Sequence, residues 1–390
     1  MSVGFIVLLS VLSSIAQRGS KVLVALSALH LGASPFTVGV LAALYAVFPL
    51  LLAVYAGRVS DRIGVRTPIL LGAIVMALGL LPPALGSQGS GDGIAMLFLC
   101  PALVGLGHIF LHVSVHNAVG AIGGAQQRSG NFALLSVGGS VAAFIGPVLA
   151  GVSVDYVGYR VAFVLLAVVA ALTGMLCLLF RGLLPPRPGS PHEERAGGTL
   201  ALLRSAPLRR TLIMSGVTLT GIELFSFYFP VYGRSIGLSA SWIGLVLGAY
   251  AAAAFVVRLA IARLSRRFGE IGILTASLFI AATTYLLLPL FSQPWTLMTI
   301  AFALGLGLGS AQPITIMLTY NHAPAGRSGE ALGMRLTVNK FTQILVPLVF
   351  GGISAGFGVP PVFWANALFL LGGGFVSLKH RTTRAGMTKQ

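Results

Sequence analysis

The chain has 390 residues, of which 56% are hydrophobic and 8% charged, with a mean hydropathy of +0.94. No water-soluble domain of that length presents such a composition, so the sequence is that of an integral membrane protein. Its net charge of +17 arises from 25 Lys and Arg against 8 Asp and Glu. The basic residues gather in breaks between apolar runs, which points to membrane topology and away from a nucleic-acid partner.

At about 20 residues per crossing, the first half reads as six spans at roughly 3–29, 36–56, 67–86, 94–118, 131–153 and 161–180. The first lacks the basic start of a cleavable leader and is taken as a span. Its middle holds Gln17, Arg18 and Lys21, which share one helix face at spacings of three and four. Tyr45 lies in the second span. Between the second and third comes Gly57-Arg58-Val59-Ser60-Asp61-Arg62-Ile63-Gly64-Val65-Arg66, an arginine-rich turn framed by glycine.

The fourth span carries His108, His112 and His116, followed by Asn117. At 3.6 residues per turn a spacing of four drifts by only about 40° per step, so the imidazoles form one stripe. Three uses are open to them: proton transfer or substrate hydrogen bonding, plain packing, and transition-metal binding, for which a His pair at i and i+4 suffices. The deep cations and the scarcity of acidic or thiolate partners speak against metal, and no metal or cofactor is expected. The fifth span contains Ala142, Gly146, Pro147, Ala150 and Gly151, whose small side chains allow close helix packing around a proline bend. Cys100 and Cys177 fall in separate apolar segments and read as small core residues without a disulfide.

A polar, proline-rich stretch at 181–209 reads as a flexible linker with a short surface helix. Six further spans follow at roughly 210–232, 239–261, 270–290, 294–320, 331–355 and 360–378, and then a basic tail at 379–390. The domain plan is therefore a bundle at 1–180, the linker, a bundle at 210–378 and the tail. The seventh span carries Glu223, the one carboxylate placed deep in any span, and then the aromatic cluster Phe225, Phe227, Tyr228, Phe229 and Tyr232. Such aromatics pack in the bundle, mark the interface or hold an apolar part of a solute. The eleventh span holds Arg335, Asn339, Lys340 and Gln343; three of these recur at spacing four as a polar stripe. Arg335 is close enough to the end to snorkel to the headgroups. His30 and His322 are expected at the interfaces.

The arginine-rich turn returns 205 residues later as Ala262-Arg263-Leu264-Ser265-Arg266-Arg267-Phe268-Gly269, with Arg266 in the place of Asp61. Gly105-Leu106-Gly107 returns as Gly305-Leu306-Gly307, Arg128-Ser129-Gly130 as Arg327-Ser328-Gly329, and Pro147 and Gly151 as Pro347 and Gly351. These echoes mark two halves on one plan. At the 205-residue offset Tyr45 falls on Tyr250, by coincidence or descent, and Arg18 falls on Glu223. Of the 25 basic residues, 18 lie on one side of the spans, two (Arg160 and Arg234) on the other and five within spans. That imbalance places both termini and the linker in the cytoplasm.

With twelve spans, a central linker and the form Gly-x-x-x-Asp-Arg-x-Gly-x-Arg at 57–66, the chain resembles the major facilitator superfamily over nearly its whole length. The resemblance implies an all-α fold of two pseudo-symmetric six-helix bundles around a central cavity. It also implies a gating role for Gly57, Asp61, Arg62, Gly64 and Arg66, as a charge relay that latches the cytoplasmic side; the alternative is that the arginines serve topology alone. The small-residue pattern of the fifth span is similar to the antiporter motif of drug-exporting members, with Ala for Gly at two places, although helix packing explains it equally.

Buried charges indicate the chemistry, because a charge at mid-membrane costs about 2.5 to 3.5 kcal/mol on insertion scales and is kept for a partner or a substrate. Glu223 either exchanges a proton as burial and a nearby cation pull its affinity in opposite directions, or stays charged as a permanent counter-ion. Arg18, Lys21 and Lys340 outnumber it, which favours an anionic solute. The expected solute contacts are Gln17, Arg18, Lys21, His112, Asn339, Lys340 and Gln343, and the expected proton sites are Glu223, His108 and His116. No phosphate-binding Gly-Lys-Ser/Thr loop or nucleophile–base pair is present, so neither ATP hydrolysis nor enzyme catalysis is expected. The sequence thus reads as a monomeric secondary active transporter of the inner (plasma) membrane, exchanging protons for an organic anion or amphipathic compound. Proton-linked uptake of a small carboxylate and a membrane-embedded sensor without turnover are the alternatives.

Overall fold

The structure, a computed structural model, describes residues 2–86, 91–122, 125–184, 199–324 and 328–387. Twelve α-helices account for almost all of them, and the described residues form no strand. In chain order they are α1 Val3–His30, α2 Pro35–Ile63, α3 Arg66–Leu80, α4 Pro82–Leu85, α5 Gly91–Ala121, α6 Ala125–Leu179, α7 Ala206–Ser235, α8 Ala240–Phe268, α9 Glu270–Leu287, α10 Pro294–Asn321, α11 Ser328–Phe357 and α12 Pro360–Met387. Local chemistry sets several of their ends. Ser34 accepts a bond from the Thr37 amide at 3.2 Å and is followed by Pro35, so α2 starts with a side-chain cap and a preset first turn.

Eleven stretches among the described residues are long and apolar enough to cross a membrane. One of them, Gly130–Leu179, runs for 50 residues. At 1.5 Å per residue it would be about 75 Å long, more than twice a hydrocarbon core of about 30 Å. Gly158, at φ 78° and ψ 169°, breaks α6 between its two halves, so this stretch supplies two crossings and the total is twelve. The short α4 prolongs the third span beyond α3, after a break at Leu81.

One expectation needs correction. Residues 57–63 are the last turns of α2, and 262–268 the last turns of α8, so the arginine-rich segments are mostly helical. The chain reverses only at Gly64 (φ 86°) and Gly269 (φ 70°). With ψ at 171° and 158°, both lie in a backbone region that is essentially closed to residues with a Cβ. Of the linker at 181–209, residues 185–198 lie outside the described residues. Short 3-10 turns at Arg181–Leu183 and Thr199–Arg204 flank them.

Two compact units divide the chain: Met1–Glu193 with Gly233–Gly248, and Glu194–Tyr232 with Ala249–Gln390. In the first, Ile6, Val7 and Leu9 of α1 form a dry core with Val65, Ile69, Val115, Val119 and Leu184. In the second, the aromatic run after Glu223 is internal: Phe225, Phe227, Tyr228, Phe229 and Tyr232 are all 3% exposed or less. Phe225 stacks obliquely on Phe229 and on Tyr250, at centroid distances of 5.1 and 5.0 Å. Packing is therefore the role these aromatics play.

The repeated glycines serve equivalent helix crossings in the two units. A Cβ on Gly105 would lie 2.8 Å from the carbonyl oxygen of Tyr45, and one on Gly305 would press still closer on that of Tyr250. The Tyr45–Tyr250 correspondence is thus a structural one, since each tyrosine crosses the first glycine of its own Gly-Leu-Gly.

Candidate functional site

Polar residues of the first unit tie α1 to α2 and α2 to α5. On α1, Arg18 is exposed while Gln17 and Lys21 are half-buried. Lys21 Nζ stands 5.8 Å from the ring centre of Tyr45, a cation–π distance, and Tyr45 Oη donates to Ser20 Oγ at 2.9 Å. The face carrying Arg18 is fixed from behind by α6. A Cβ on Gly146 would meet Arg18 Cβ and the Gly19 amide at 3.0 Å, so only glycine lets the two backbones approach. The other side of the small-residue pattern packs on the start of α8 within the same unit, where Gly151 abuts the Ala240 carbonyl and Gly244 the Pro147 carbonyl. Asp155 adds two bonds there, accepting from the amides of Ala240 and Ser241 at 3.1 and 2.7 Å and so capping α8.

The histidine stripe forms a ladder. Ring centroids are 5.4 Å apart between His108 and His112 and 4.1 Å between His112 and His116, and His116 Nδ1 bonds the His112 carbonyl at 2.8 Å. His112 is exposed, while His108 and His116 are half-buried. Among the described residues no three or more His, Cys, Asp or Glu side chains come together as a metal site. Directly after the stripe, Asn117 Nδ2 donates to the buried Ser60 Oγ at 3.1 Å, tying α5 to the end of α2.

In the second unit Glu223 is 6% exposed, and it is the one acidic side chain buried among the described residues. Asn339 of α11 accepts from Ser215 Oγ of α7 at 3.0 Å, and Lys340 Nζ donates to Gln343 Oε1 at 2.9 Å. Arg335 does not snorkel. It is 5% exposed, and its Nη2 donates to Thr315 Oγ1 of α10 at 3.1 Å. The eleventh-span stripe is therefore turned into the unit at Arg335 and Asn339. His322 caps α10 and bonds Thr211 Oγ1 of α7 at 2.9 Å, which makes it a helix–helix tie. His30 stacks on Tyr159 at 4.7 Å.

Around the segment 57–66, Arg62 is exposed and Arg66 Nη2 donates to the Leu184 carbonyl at 3.3 Å. The side chains of Asp61 and Arg128, residue Arg327, and the side chains from 379 onward lie outside the described residues. Several partners were not legible in the sequence. Ser215 is an ordinary span residue by composition, Ser60 is a small polar residue among the arginines of its turn, and Asp155 is an acid between two spans. Only the recurrence of Ser60 as Ser265 signalled that Ser60 had a place in the design.

Comparison with known proteins adds three findings. The family model described as Major Facilitator Superfamily matches residues 6–341 and 211–388. The chain is 26% identical to a protein of Enterobacter lignolyticus named "Multidrug resistance protein MdtG", over 83% of this chain and 78% of that one. It is 24% identical to the protein of the same name from Dickeya zeae, over 89% and 85%. Among solved structures it is similar to a POT family transporter in complex with 5-aminolevulinic acid, with a TM-score of 0.80, 14% identity and coverage of 96% and 95%. It is likewise similar to a peptide transporter POT in complex with sulfate, with a TM-score of 0.79, 17% identity and coverage of 98% and 94%. At such identities these two structures support the fold alone.

Proposed function

Because the chain belongs to the Major Facilitator Superfamily, we propose that it exports an organic anion or amphipathic compound in exchange for protons, by alternating access. The chain is a multi-pass membrane transporter and not an enzyme. In this reading it is a monomer of the inner (plasma) membrane with both termini in the cytoplasm, an orientation supported by the distribution of Lys and Arg. The names of the relatives support export of drug-like solutes.

The observation that carries the proton coupling is Glu223, the one carboxylate buried among the described residues, on an apolar helix. A carboxylate in that setting is retained for a partner, a solute or a proton. Gln17, Arg18, Lys21, His112, Asn339, Lys340 and Gln343 supply donors for an anionic solute, His108 and His116 join Glu223 in proton transfer, and Gly57, Asp61, Arg62, Gly64 and Arg66 form the latch.

The test is flux into proteoliposomes under an imposed pH gradient, with wild type and Glu223→Gln side by side. Loss of pH-driven accumulation, with solute binding retained, is the expected result. PH-driven accumulation that survives the substitution removes Glu223 from coupling. Binding by the wild type without any accumulation makes the chain a sensor.

A further inference from the structure

Beneath the second arginine-rich segment lies a cleft of about 900 Å³, inside the second unit. It is lined by residues from the end of α8 (Ile261, Ser265, Arg266, Phe268), the start of α9 (Glu270, Ile271) and the end of α10 (Pro313, Ile314, Met317, Asn321). The equivalent corner of the first unit is built from different side chains, as the repeat shows. At the 205-residue offset Ser60 falls on Ser265 and the fully buried Val65 on Glu270. At the 200-residue offset of the Gly-Leu-Gly pair, Asn117 falls on Met317. The bond from Asn117 to Ser60 that closes the first corner has therefore lost its donor in the second. Ser265 Oγ is buried there with no hydrogen-bond partner among the described residues.

The cleft sits where three spans end on one side: one stops at Ile261, the next begins at Glu270 and the third stops at Asn321. Its lining follows that boundary. Ile261, Ile314, Met317 and Pro313 belong to the apolar spans, and Ser265, Arg266, Glu270 and Asn321 mark their polar ends. Glu270, the one acid in the lining, accepts from Asn321 Nδ2 at 3.4 and 3.5 Å, so part of its acceptor capacity is taken up. Exposed Arg263, Arg266 and Arg267 crowd the last turns of α8, and Phe268 is 49% exposed. An occupant must place negative charge at the arginines while its apolar part runs down the spans.

We propose that this cleft is a binding site for an anionic phospholipid, whose phosphate meets Arg266 and whose acyl chains lie along Ile261, Ile314 and Met317. Charge complementarity selects the headgroup: the exposed Arg263, Arg266 and Arg267 fall within five residues just past the end of a span, where basic residues attract acidic lipids. The volume is within the range of ordinary ligand sites, about 300 to 1,000 Å³. The proposal requires only that the chain spans a bilayer, so it stands apart from the direction and coupling of transport.

The test uses the full-length, delipidated protein in detergent, followed by native mass spectrometry and thermal melting. Dioleoyl phosphatidylglycerol is compared with dioleoyl phosphatidylcholine and with inorganic phosphate. Phosphatidylglycerol should be retained and should raise the melting temperature, while the other two do neither. Arg266→Gln should retain about fivefold less phosphatidylglycerol, as expected for one arginine at a charged surface. Met317→Asn, which restores the donor that Asn117 supplies in the first unit and removes no charge, should also reduce retention. Equal retention of the two lipids overturns the proposal, as does either variant matching the wild type. Phosphate alone reproducing the shift reduces the site to an adventitious ion only and overturns it as well.

Discussion

The corners at 57–66 and 262–271 descend from one sequence, and their backbones remain alike while their contents have parted. Each begins with helical turns rich in arginine and reverses at a glycine in the same rare conformation, with φ of 86° and 70°. Beneath the first are the fully buried Val65 and the Asn117–Ser60 bond; beneath the second are Glu270, Met317 and an open cleft. Duplication has kept what the backbone requires and released what only side chains decide. The largest effects of mutation should therefore be equal in the two halves, and the differences should emerge as the expected effect becomes smaller.

The greatest effect is expected at the helix crossings. Leucine at Gly105 or Gly305 meets a tyrosine carbonyl, and the backbone must move because no flexible side chain can give way. Overpacking that forces the backbone to shift typically costs about 1 to 3 kcal/mol and occasionally more, and a leucine against a carbonyl belongs at the upper end. Gly105→Leu and Gly305→Leu should both lose most folded protein, judged by size-exclusion yield and melting in detergent. A tolerated substitution at one of them would show that only one half has kept its crossing.

Next come the turn glycines. Gly64→Ala and Gly269→Ala each force a Cβ into a region essentially reserved for glycine, at a cost of about 1 to 3 kcal/mol. A Cβ on Gly269 meets nothing within 4 Å, so conformational strain alone is at issue there. Similar losses of thermal stability in the two variants would confirm that the backbone of the corner is shared. A clear inequality would break the comparison at its root.

These two levels were also the ones most legible in the sequence. Apolar runs fixed the spans because a bilayer admits only helices with their backbone bonds satisfied internally. Glycine repeats showed the duplication because a glycine at a crossing or a reversal has no substitute. What stayed hidden depended on partners distant in the chain. Arg335 was expected to reach for headgroups, yet Thr315 holds it inside the unit. The first arginine-rich segment was read as a turn, although charged residues at the end of α2 continue its helix as far as Ile63. Periodicity could not reveal the bond between Asn117 and Ser60 either, since neither residue is unusual on its own helix.

The smallest predicted effect tests that bond directly. Asn117→Ala leaves Ser60 Oγ buried without its donor, and a buried polar group so orphaned costs about 1 to 3 kcal/mol. In the second half Ser265 already lacks a partner among the described residues, so Met317→Ala removes no hydrogen bond and should cost only the packing of one flexible side chain at the edge of an open cleft. Asn117→Ala should therefore lower the melting temperature more than Met317→Ala does. Adding Ser60→Ala to Asn117→Ala should recover part of the loss, because removing both polar partners is milder than stranding one. Equal losses from the two single variants would mean that the Asn117–Ser60 bond contributes nothing to stability, and that the first corner is held by its other contacts, Val65 and its apolar neighbours foremost.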